Sequence, residues 1–216
     1  MFSSPLLFLA HSPSHLQSFG SKGKSLDQFD YLYGVALTPD HAHLVVVDRG
    51  NKRLVVRDAT DGRAVSTLTP AAGVLPNPCG VVVVPDTGQL LVTDYGRHQA
   101  VLFGGLADAT VVRVFGEGQG SGDRQLNYPC GVALVSASDV TLAADPSAVA
   151  AAAAERDPTL VAIADFGNHR VVLYRLADAA FVRRFGSQGG APGQLHFPHS
   201  VASVLVVVTC SNPYMS

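Results

Sequence analysis

Four residues able to bind ligands occupy one position of a repeated four-residue segment: Tyr33, Cys79, Cys130 and His199. The segments read Leu32-Tyr33-Gly34-Val35, Pro78-Cys79-Gly80-Val81, Pro129-Cys130-Gly131-Val132 and Pro198-His199-Ser200-Val201. Thiolate and imidazole groups are zinc ligands, and equivalent positions of a ring of like units converge on its axis. We therefore predict that these four residues face a ligand at the mouth of a central channel. Small lining residues and a hydrogen-bonded histidine are the simpler interpretation, and we predict no bound metal.

A second recurring motif begins with an aspartate: Asp48-Arg49-Gly50-Asn51, Asp94-Tyr95-Gly96-Arg97 and Asp165-Phe166-Gly167-Asn168. A carboxylate oxygen can accept the backbone N–H groups of a tight turn, and glycine permits positive φ. The same pattern in three copies favours a structural role over catalysis or calcium binding. We therefore predict that Asp48, Asp94, Asp165, Gly50, Gly96 and Gly167 are structural turn residues.

No catalytic set is recognisable in the sequence. It contains no Gly-x-Ser-x-Gly, His-Glu-x-x-His or EF-hand motif. The three cysteines, Cys79, Cys130 and Cys210, form no Cys-x-x-Cys pair, so no RING or B-box zinc pattern is present. We predict no catalytic residue and no cofactor. We also expect no Cys79–Cys130 disulfide, because corresponding strands of neighbouring units should lie beyond the roughly 7 Å limit between Cα atoms.

The elements that must position these residues follow from the spacing of the motifs. Gly34 precedes Asp48 by 14 residues and Gly80 precedes Asp94 by 14, whereas 34 separate Gly131 from Asp165, which indicates an insertion of 20. Without it, the unit is roughly 46 to 50 residues long, as in propeller blades. Each unit carries about four short runs rich in valine and leucine. The sequence therefore predicts an all-β fold, a β-propeller of four-stranded blades.

These anchors resemble the NHL repeat, with the clearest copy at Ile163-Ala164-Asp165-Phe166-Gly167-Asn168-His169-Arg170-Val171, followed by Phe185-Gly186 and Gly193-Gln194-Leu195. The resemblance covers roughly residues 6 to 202 apart from the insertion. It implies a ring of six blades. The family includes ubiquitin-ligase substrate receptors, RNA-binding regulators, bacterial sensor domains and a metal-dependent lyase. In the lyase branch a segment like Pro198-His199-Ser200-Val201 supplies a zinc histidine, but Cys79 and Cys130 depart from that pattern.

The units predict one propeller region over residues 1–216. Its parts are a partial blade at 6–20, blades at 31–69, 77–116 and 128–186, and a partial blade at 197–208. We interpret them as an incomplete arc of a six-bladed ring; closure as four blades and oligomerisation through open edges are the alternatives. The insertion at 136–159 carries Asp145-Pro146 and five alanines from Ala150, which predicts a short surface helix.

Composition limits the classes of partner. The chain has 216 residues, 47% of them hydrophobic and 15% charged, and a net charge of −2, so no global attraction draws it to nucleic acid. No apolar stretch reaches the roughly 18 residues that a membrane span needs, and no signal peptide is recognised. The compartment is unknown, with cytoplasmic as the default.

Together these features predict a non-enzymatic binding or scaffold module that presents loops and a channel mouth to a protein or peptide partner. The alternatives are a metal-dependent lyase or hydrolase with a zinc site at the channel mouth, and an RNA-binding domain, although the net charge does not favour nucleic acid. The sequence does not indicate any small-molecule ligand.

Overall fold

The structure, a computed structural model, describes residues 18–136, 159–202 and 207–210, the last group by its backbone. Most of the partial blade predicted at 6–20 and the helix predicted within the insertion at 136–159 therefore lie outside the described residues.

The described chain forms three four-stranded antiparallel sheets, each made of consecutive strands. Sheet 1 comprises β3 (Leu32–Leu37), β4 (His43–Asp48), β5 (Arg53–Asp58) and β6 (Ala64–Leu68). Sheet 2 comprises β7 (Pro78–Val83), β8 (Leu90–Asp94), β9 (Gln99–Gly105) and β10 (Asp108–Phe115). Sheet 3 comprises β11 (Pro129–Ser136), β12 (Thr159–Asp165), β13 (Arg170–Arg175) and β14 (Phe181–Phe185).

Two further strand pairs complete the described secondary structure. The strands β1 (Ser21–Lys22) and β2 (Gln28–Phe29) pair in parallel, and β15 (Pro198–Ala202) pairs with β16 (Val207–Cys210) in antiparallel. The described residues contain almost no helix: a short 3-10 turn covers Phe166–Asn168. The predicted all-β fold of repeated four-stranded sheets is confirmed, and it is consistent with a partial β-propeller.

Hydrophobic cores lie between consecutive sheets, because neighbouring residues of one strand face opposite neighbours. In β8, Leu90 and Val92 pack in the core shared with sheet 1, whereas Leu91 packs in the core shared with sheet 3. In β12, Ile163 faces sheet 2 and Ala162 packs with Val201 of β15. Both faces of these strands are covered, which explains their continuous apolar sequence.

The first strands of the sheets, which we call the inner strands (β3, β7, β11 and β15), approach one another closely. A Cβ atom placed on Gly34 would lie 2.6 Å from the carbonyl oxygen of Cys79. The corresponding distance from Gly80 to the Cys130 carbonyl oxygen is 2.5 Å, and from Gly131 to the Cα of Ser200 it is 2.6 Å. Glycine is therefore required in the first three repeated segments so that the backbones of neighbouring sheets can touch, whereas the fourth segment has Ser200 at this position.

Sheet 1 has a second apolar face, on the side away from sheet 2. Phe29, Val46 and Val55 form a small core there, while Val35 and Leu37 on β3 remain exposed. Within the described residues, no helix is long and apolar enough to span a bilayer.

Candidate functional site

The four inner strands surround a central cleft of about 320 Å³. Its wall includes all four of the residues placed at the channel mouth by the sequence: Tyr33, Cys79, Cys130 and His199. Tyr33 and His199 are exposed, and their rings stack loosely with centroids 6.2 Å apart. The Cys79 and Cys130 side chains are buried, and their Sγ atoms lie 3.7 Å apart. The structure thus brings the four residues to one cleft, and their role in facing a ligand stays a prediction.

The expectation of no Cys79–Cys130 disulfide rested on the distance between the Cα atoms, and both thiols are free in the structure. The glycine contacts nevertheless draw the two strands together, and the two sulfur atoms are in contact. The Cys79 S–H donates a hydrogen bond to Cys130 Sγ. This hydrogen bond lowers the pKa of Cys130, and the nearby Arg49 charge acts in the same direction. The same contact, together with burial, raises the pKa of Cys79.

The aspartates of the recurring turn are fully buried and fully occupied. Asp165 Oδ1 accepts the backbone N–H of Asn127 at 2.6 Å, and Oδ2 accepts Asn168 Nδ2 and Arg170 Nε, each at 2.7 Å. Asp48 repeats this arrangement with Asp30 N, Asn51 Nδ2 and Arg53 Nε, each at 2.8 Å. Each of these carboxylates therefore ties its turn to the segment that leads into the inner strand of the same sheet.

The second copy of the aspartate turn differs because Gln99 stands where the other two copies have Arg53 and Arg170. Asp94 Oδ1 accepts the N–H groups of Gly96 and Arg97 at 2.8 Å, and Oδ2 accepts Asn77 N at 3.0 Å. The predicted bonding of the carboxylate to its own turn therefore describes Asp94, whereas Asp48 and Asp165 bond to side chains and to the preceding segment.

The predicted reason for the turn glycines is wrong. Gly50, Gly96 and Gly167 do not have positive φ; the left-handed residues of these turns are Lys52, His98 and His169. A Cβ on Gly50, Gly96 or Gly167 would instead lie between 2.4 and 2.6 Å from Asp30, Asn77 or Asn127 respectively. Glycine is needed at these positions for close packing against the segment that leads into the inner strand.

Histidines in two of the turns join neighbouring sheets. His98 Nδ1 accepts the backbone N–H of Tyr128 at 3.0 Å, and His169 Nδ1 accepts that of Phe197 at 3.2 Å. Burial lowers the pKa of His98, although Asp94 and Asp165 oppose the shift. Burial, assisted by the charge of His196, also lowers the pKa of His169. Both histidines therefore accept hydrogen bonds as neutral rings.

Five side chains contact one another in a closed sequence, which we call the mouth ring; two of them line the cleft, and the other three directly follow the recurring aspartates. It consists of Tyr33, Arg49, Tyr95, Phe166 and His199. The Arg49 guanidinium lies 4.6 Å from the Tyr33 centroid and 4.9 Å from the Tyr95 centroid. Tyr95 contacts Phe166 at 6.3 Å, Phe166 contacts His199 at 6.2 Å, and the Tyr33–His199 pair closes the ring.

More aromatic side chains extend outward from the mouth ring. Tyr128 packs on Tyr95 with centroids 4.5 Å apart, and Phe197 packs on Phe166 at 4.9 Å. Tyr128 and Phe197 both have left-handed backbones, with φ of 52° and 49°. Such a conformation costs a bulky residue of the order of 1 kcal/mol or more, and strain of this kind concentrates at functional sites.

Sequence reasoning missed three members of the mouth ring: Arg49, Tyr95 and Phe166. Each directly follows a recurring aspartate, and the three differ in type while the residues around them repeat. A large, variable residue inside a repeated turn was the available signal.

The Arg49 guanidinium stacks on two rings and has no acidic partner among the described residues. Among all residues that the structure describes, no group of three histidine, cysteine, aspartate or glutamate side chains is placed to hold a metal ion.

Comparison with known proteins supports the fold alone. No family model and no curated protein match the sequence. The structure is similar to hydrazine synthase from Kuenenia stuttgartiensis, with a TM-score of 0.51 and 14% identity over 78% of this chain and 38% of that one. It is also similar to auxiliary nutrient binding proteins from Bacteroides thetaiotaomicron (TM-score 0.57, 13% identity, 82% of this chain and 44% of that one) and Bacteroides ovatus (TM-score 0.56, 16% identity, 82% and 44%).

These neighbours are propeller-like proteins of four-stranded antiparallel sheets. The chain spans less than half the length of each of them.

Proposed function

We propose that this chain is a non-enzymatic binding module that receives a protein or peptide partner at the mouth ring. The single observation that carries the proposal is the Arg49 guanidinium, which is held between Tyr33 and Tyr95 without a carboxylate partner among the described residues. Arginine in such a stack keeps its N–H groups free for an incoming acceptor, and aromatic and arginine side chains dominate binding energy at protein interfaces.

The chemistry of the mouth ring favours a peptide that carries a carboxylate beside an apolar side chain. The carboxylate would accept hydrogen bonds from Arg49, and such charge-assisted pairs are often bidentate. The apolar side chain would pack on Tyr95, Phe166 or the exposed Tyr128. The rings are already in contact with one another, so little side-chain entropy is lost when a partner binds.

We also propose that the three sheets are NHL-type blades within an incomplete arc of a six-bladed ring. The repeated Pro-x-Gly-Val and aspartate-turn segments support this proposal, because each falls at the same place in its sheet. The coverage of 38% to 44% of the similar structures is in line with an arc.

The two alternative functions have different support. A zinc enzyme would need a third or fourth ligand beside Cys79, Cys130 or His199, and the described residues bring no such group together. An RNA-binding module would use the same rings to stack bases, with arginine beside them. The net charge of −2 gives that alternative no general electrostatic attraction.

The test uses an array of short random-sequence peptides with free carboxyl termini, probed with the labelled full chain. We expect enrichment of peptides that contain Asp or Glu next to an apolar residue. For the strongest peptide, calorimetric titration should show that Arg49→Ala weakens binding about tenfold or more, as expected for loss of a charge-assisted hydrogen bond. Tyr95→Ala should weaken it to a similar degree.

Arg63→Ala is the matched control, because Arg63 is an exposed arginine in the β5–β6 connection that pairs with Asp61 of the same connection. It should leave the affinity for the peptide unchanged. Failure to enrich any peptide, or equal losses for Arg49→Ala and Arg63→Ala, would contradict the proposal. Binding of the chain to single-stranded polyuridine, but to none of the peptides, would favour the RNA-binding alternative instead.

A further inference from the structure

The Cys79 and Cys130 thiols form a contact that the proposed binding function does not use. Their Sγ atoms are 3.7 Å apart, although the residues are 51 positions apart in sequence and belong to different sheets. Only 2% of Cys79 and 3% of Cys130 is exposed, yet both line the central cleft. A small reagent that enters the cleft therefore meets two sulfur atoms together.

The fold holds the two cysteines in this position through their backbones. Gly80, next to Cys79, lies against the Cys130 carbonyl with no space for a side chain. Thr93 on β8 connects the same two strands, because its Oγ1 accepts the Gly80 N–H at 2.8 Å and donates to the Cys130 carbonyl oxygen. The strands that carry the two thiols thus cannot separate without breaking contacts between sheets 2 and 3.

We propose that Cys79 and Cys130 form a dithiol that a hydroperoxide oxidises to a disulfide between sheets 2 and 3. A disulfide requires the sulfur atoms to approach to about 2.05 Å. Starting from contact distance, side-chain rotation and a small shift of the strands can supply this approach. The inference is independent of the proposed peptide binding.

The reaction balances in two steps. The Cys130 thiolate, which accepts the hydrogen bond from Cys79, attacks one peroxide oxygen; the O–O bond breaks, an alcohol or water leaves, and Cys130 becomes a sulfenic acid. The Cys79 sulfur then attacks Cys130 Sγ, the S–OH bond breaks, and water leaves with the Cys79 proton. Two thiols and one hydroperoxide give one disulfide, one alcohol and one water, and two electrons pass from sulfur to oxygen.

The bond would have two physical consequences. It would join sheets 2 and 3 covalently at the wall of the cleft, which restricts the unfolded chain and stabilises the folded one. It would also replace a nucleophilic pair by an inert one, so that further oxidation of either sulfur to sulfinic acid is prevented.

The experiment uses the full chain with Cys210→Ser, which leaves only the two thiols of interest. Folded protein is treated with hydrogen peroxide, blocked with iodoacetamide and digested with trypsin without reduction. We expect a cross-linked pair of peptides, 64–97 with 125–156, lighter by two hydrogen atoms than the reduced sum. The link should form at least about tenfold faster than in urea-unfolded protein, because the fold holds the thiols together. The melting temperature of the oxidised chain should rise by several degrees and return to its original value on reduction.

Cys79→Ser in the same background is the matched control, and it should accumulate sulfenic and sulfinic acid at Cys130 with no rise in melting temperature. The proposal is overturned if the folded chain gives separate sulfinic acids instead of the cross-link. It is equally overturned if the links form between molecules, or if folded and unfolded protein react at the same rate.

Discussion

The imidazole Nδ1 of His98, in the turn after β8, accepts the backbone N–H of Tyr128, which leads into β11 of the next sheet. His169 makes the same bond to Phe197 one sheet further on. The turns of sheets 2 and 3 therefore link each of these sheets to the next as well as closing their own strands. An acceptor bond to Nδ1 requires an unprotonated nitrogen, which makes these links sensitive to pH.

We predict that folding stability falls as the pH is lowered below about 6.5, the value for an unperturbed histidine. Burial holds the pKa of His98 and of His169 below that value in the folded chain. Below this pH the unfolded chain binds protons that the folded chain does not. The contribution of the two histidines to folding stability is therefore complete above the unfolded pKa and is lost as the pH falls through the folded pKa. Each of the two histidine links should contribute of the order of 1 kcal/mol to the free energy of unfolding, as one hydrogen bond does. Urea unfolding between pH 8 and about pH 5 measures the effect.

The control for this prediction compares two histidines that both have a left-handed backbone, a conformation that asparagine tolerates. His98→Asn should flatten the dependence of stability on pH. His41→Asn, in the turn between β3 and β4, should leave the wild-type profile. If the stability of the wild-type protein and that of the His98→Asn variant depend on pH in the same way, the His98–Tyr128 hydrogen bond is not the source of the pH dependence.

Gly80→Ala should destabilise the chain by about 1–3 kcal/mol, the usual cost of forcing an atom into a packed region. The added methyl group would lie 2.5 Å from the Cys130 carbonyl oxygen, so β7 and β11 would have to separate. Gly190→Ala is the matched control, because Gly190 has no heavy atom within 4 Å of the added Cβ position. Urea denaturation compares the two variants; equal stabilities would mean that the inner strands do not need this contact.

Much of the architecture was predictable because the sequence repeats its anchors. Fixed spacing between the Gly80 and Asp94 motifs, and their counterparts, gave the four-stranded sheets. Equivalent positions of repeated units converge, which is why Tyr33 and His199 were expected at one cleft.

Other features depend on distances that a single sequence does not contain. The need for Gly80 is set by the neighbouring sheet, and so is the contact between Cys79 and Cys130. Arg49 escaped notice because its contacts, Tyr33 and Tyr95, lie in other segments that come together only on folding.

Asp165→Ala should be more destabilising than Asp94→Ala. Loss of Asp165 leaves the buried Arg170 without its carboxylate, and breaking a buried ion pair typically costs about 3–5 kcal/mol. Among the described residues Asp94 accepts hydrogen bonds only from backbone N–H groups, so its loss resembles loss of a helix cap, about 1–2 kcal/mol. Denaturant unfolding of both variants tests the order, and the reverse order would rule out a stabilising role for the Asp165–Arg170 pair. Asp178→Ala, which removes the exposed carboxylate of a surface pair with the half-buried Arg175, should change stability by less than about 1 kcal/mol.

Tyr174 in β13 should tolerate loss of its hydroxyl group. Its ring packs edge-on against Phe115 in the core between sheets 2 and 3, with centroids 6.1 Å apart, but its buried hydroxyl has no hydrogen-bond partner among the described residues. Burial also raises the pKa of Tyr174, so the group stays neutral. Tyr174→Phe removes an unsatisfied polar atom and keeps the ring, so stability should be unchanged or should rise by about 1–2 kcal/mol.

Tyr174→Ala provides the contrast, because it removes the ring as well. The cavity it leaves should cost about 3–5 kcal/mol, as for other large aromatic residues in cores. Urea unfolding of both variants separates the contribution of the ring from that of the hydroxyl. If Tyr174→Phe costs more than about 1 kcal/mol, the hydroxyl makes a hydrogen bond in solution, and the core between sheets 2 and 3 is less completely apolar than its packing indicates.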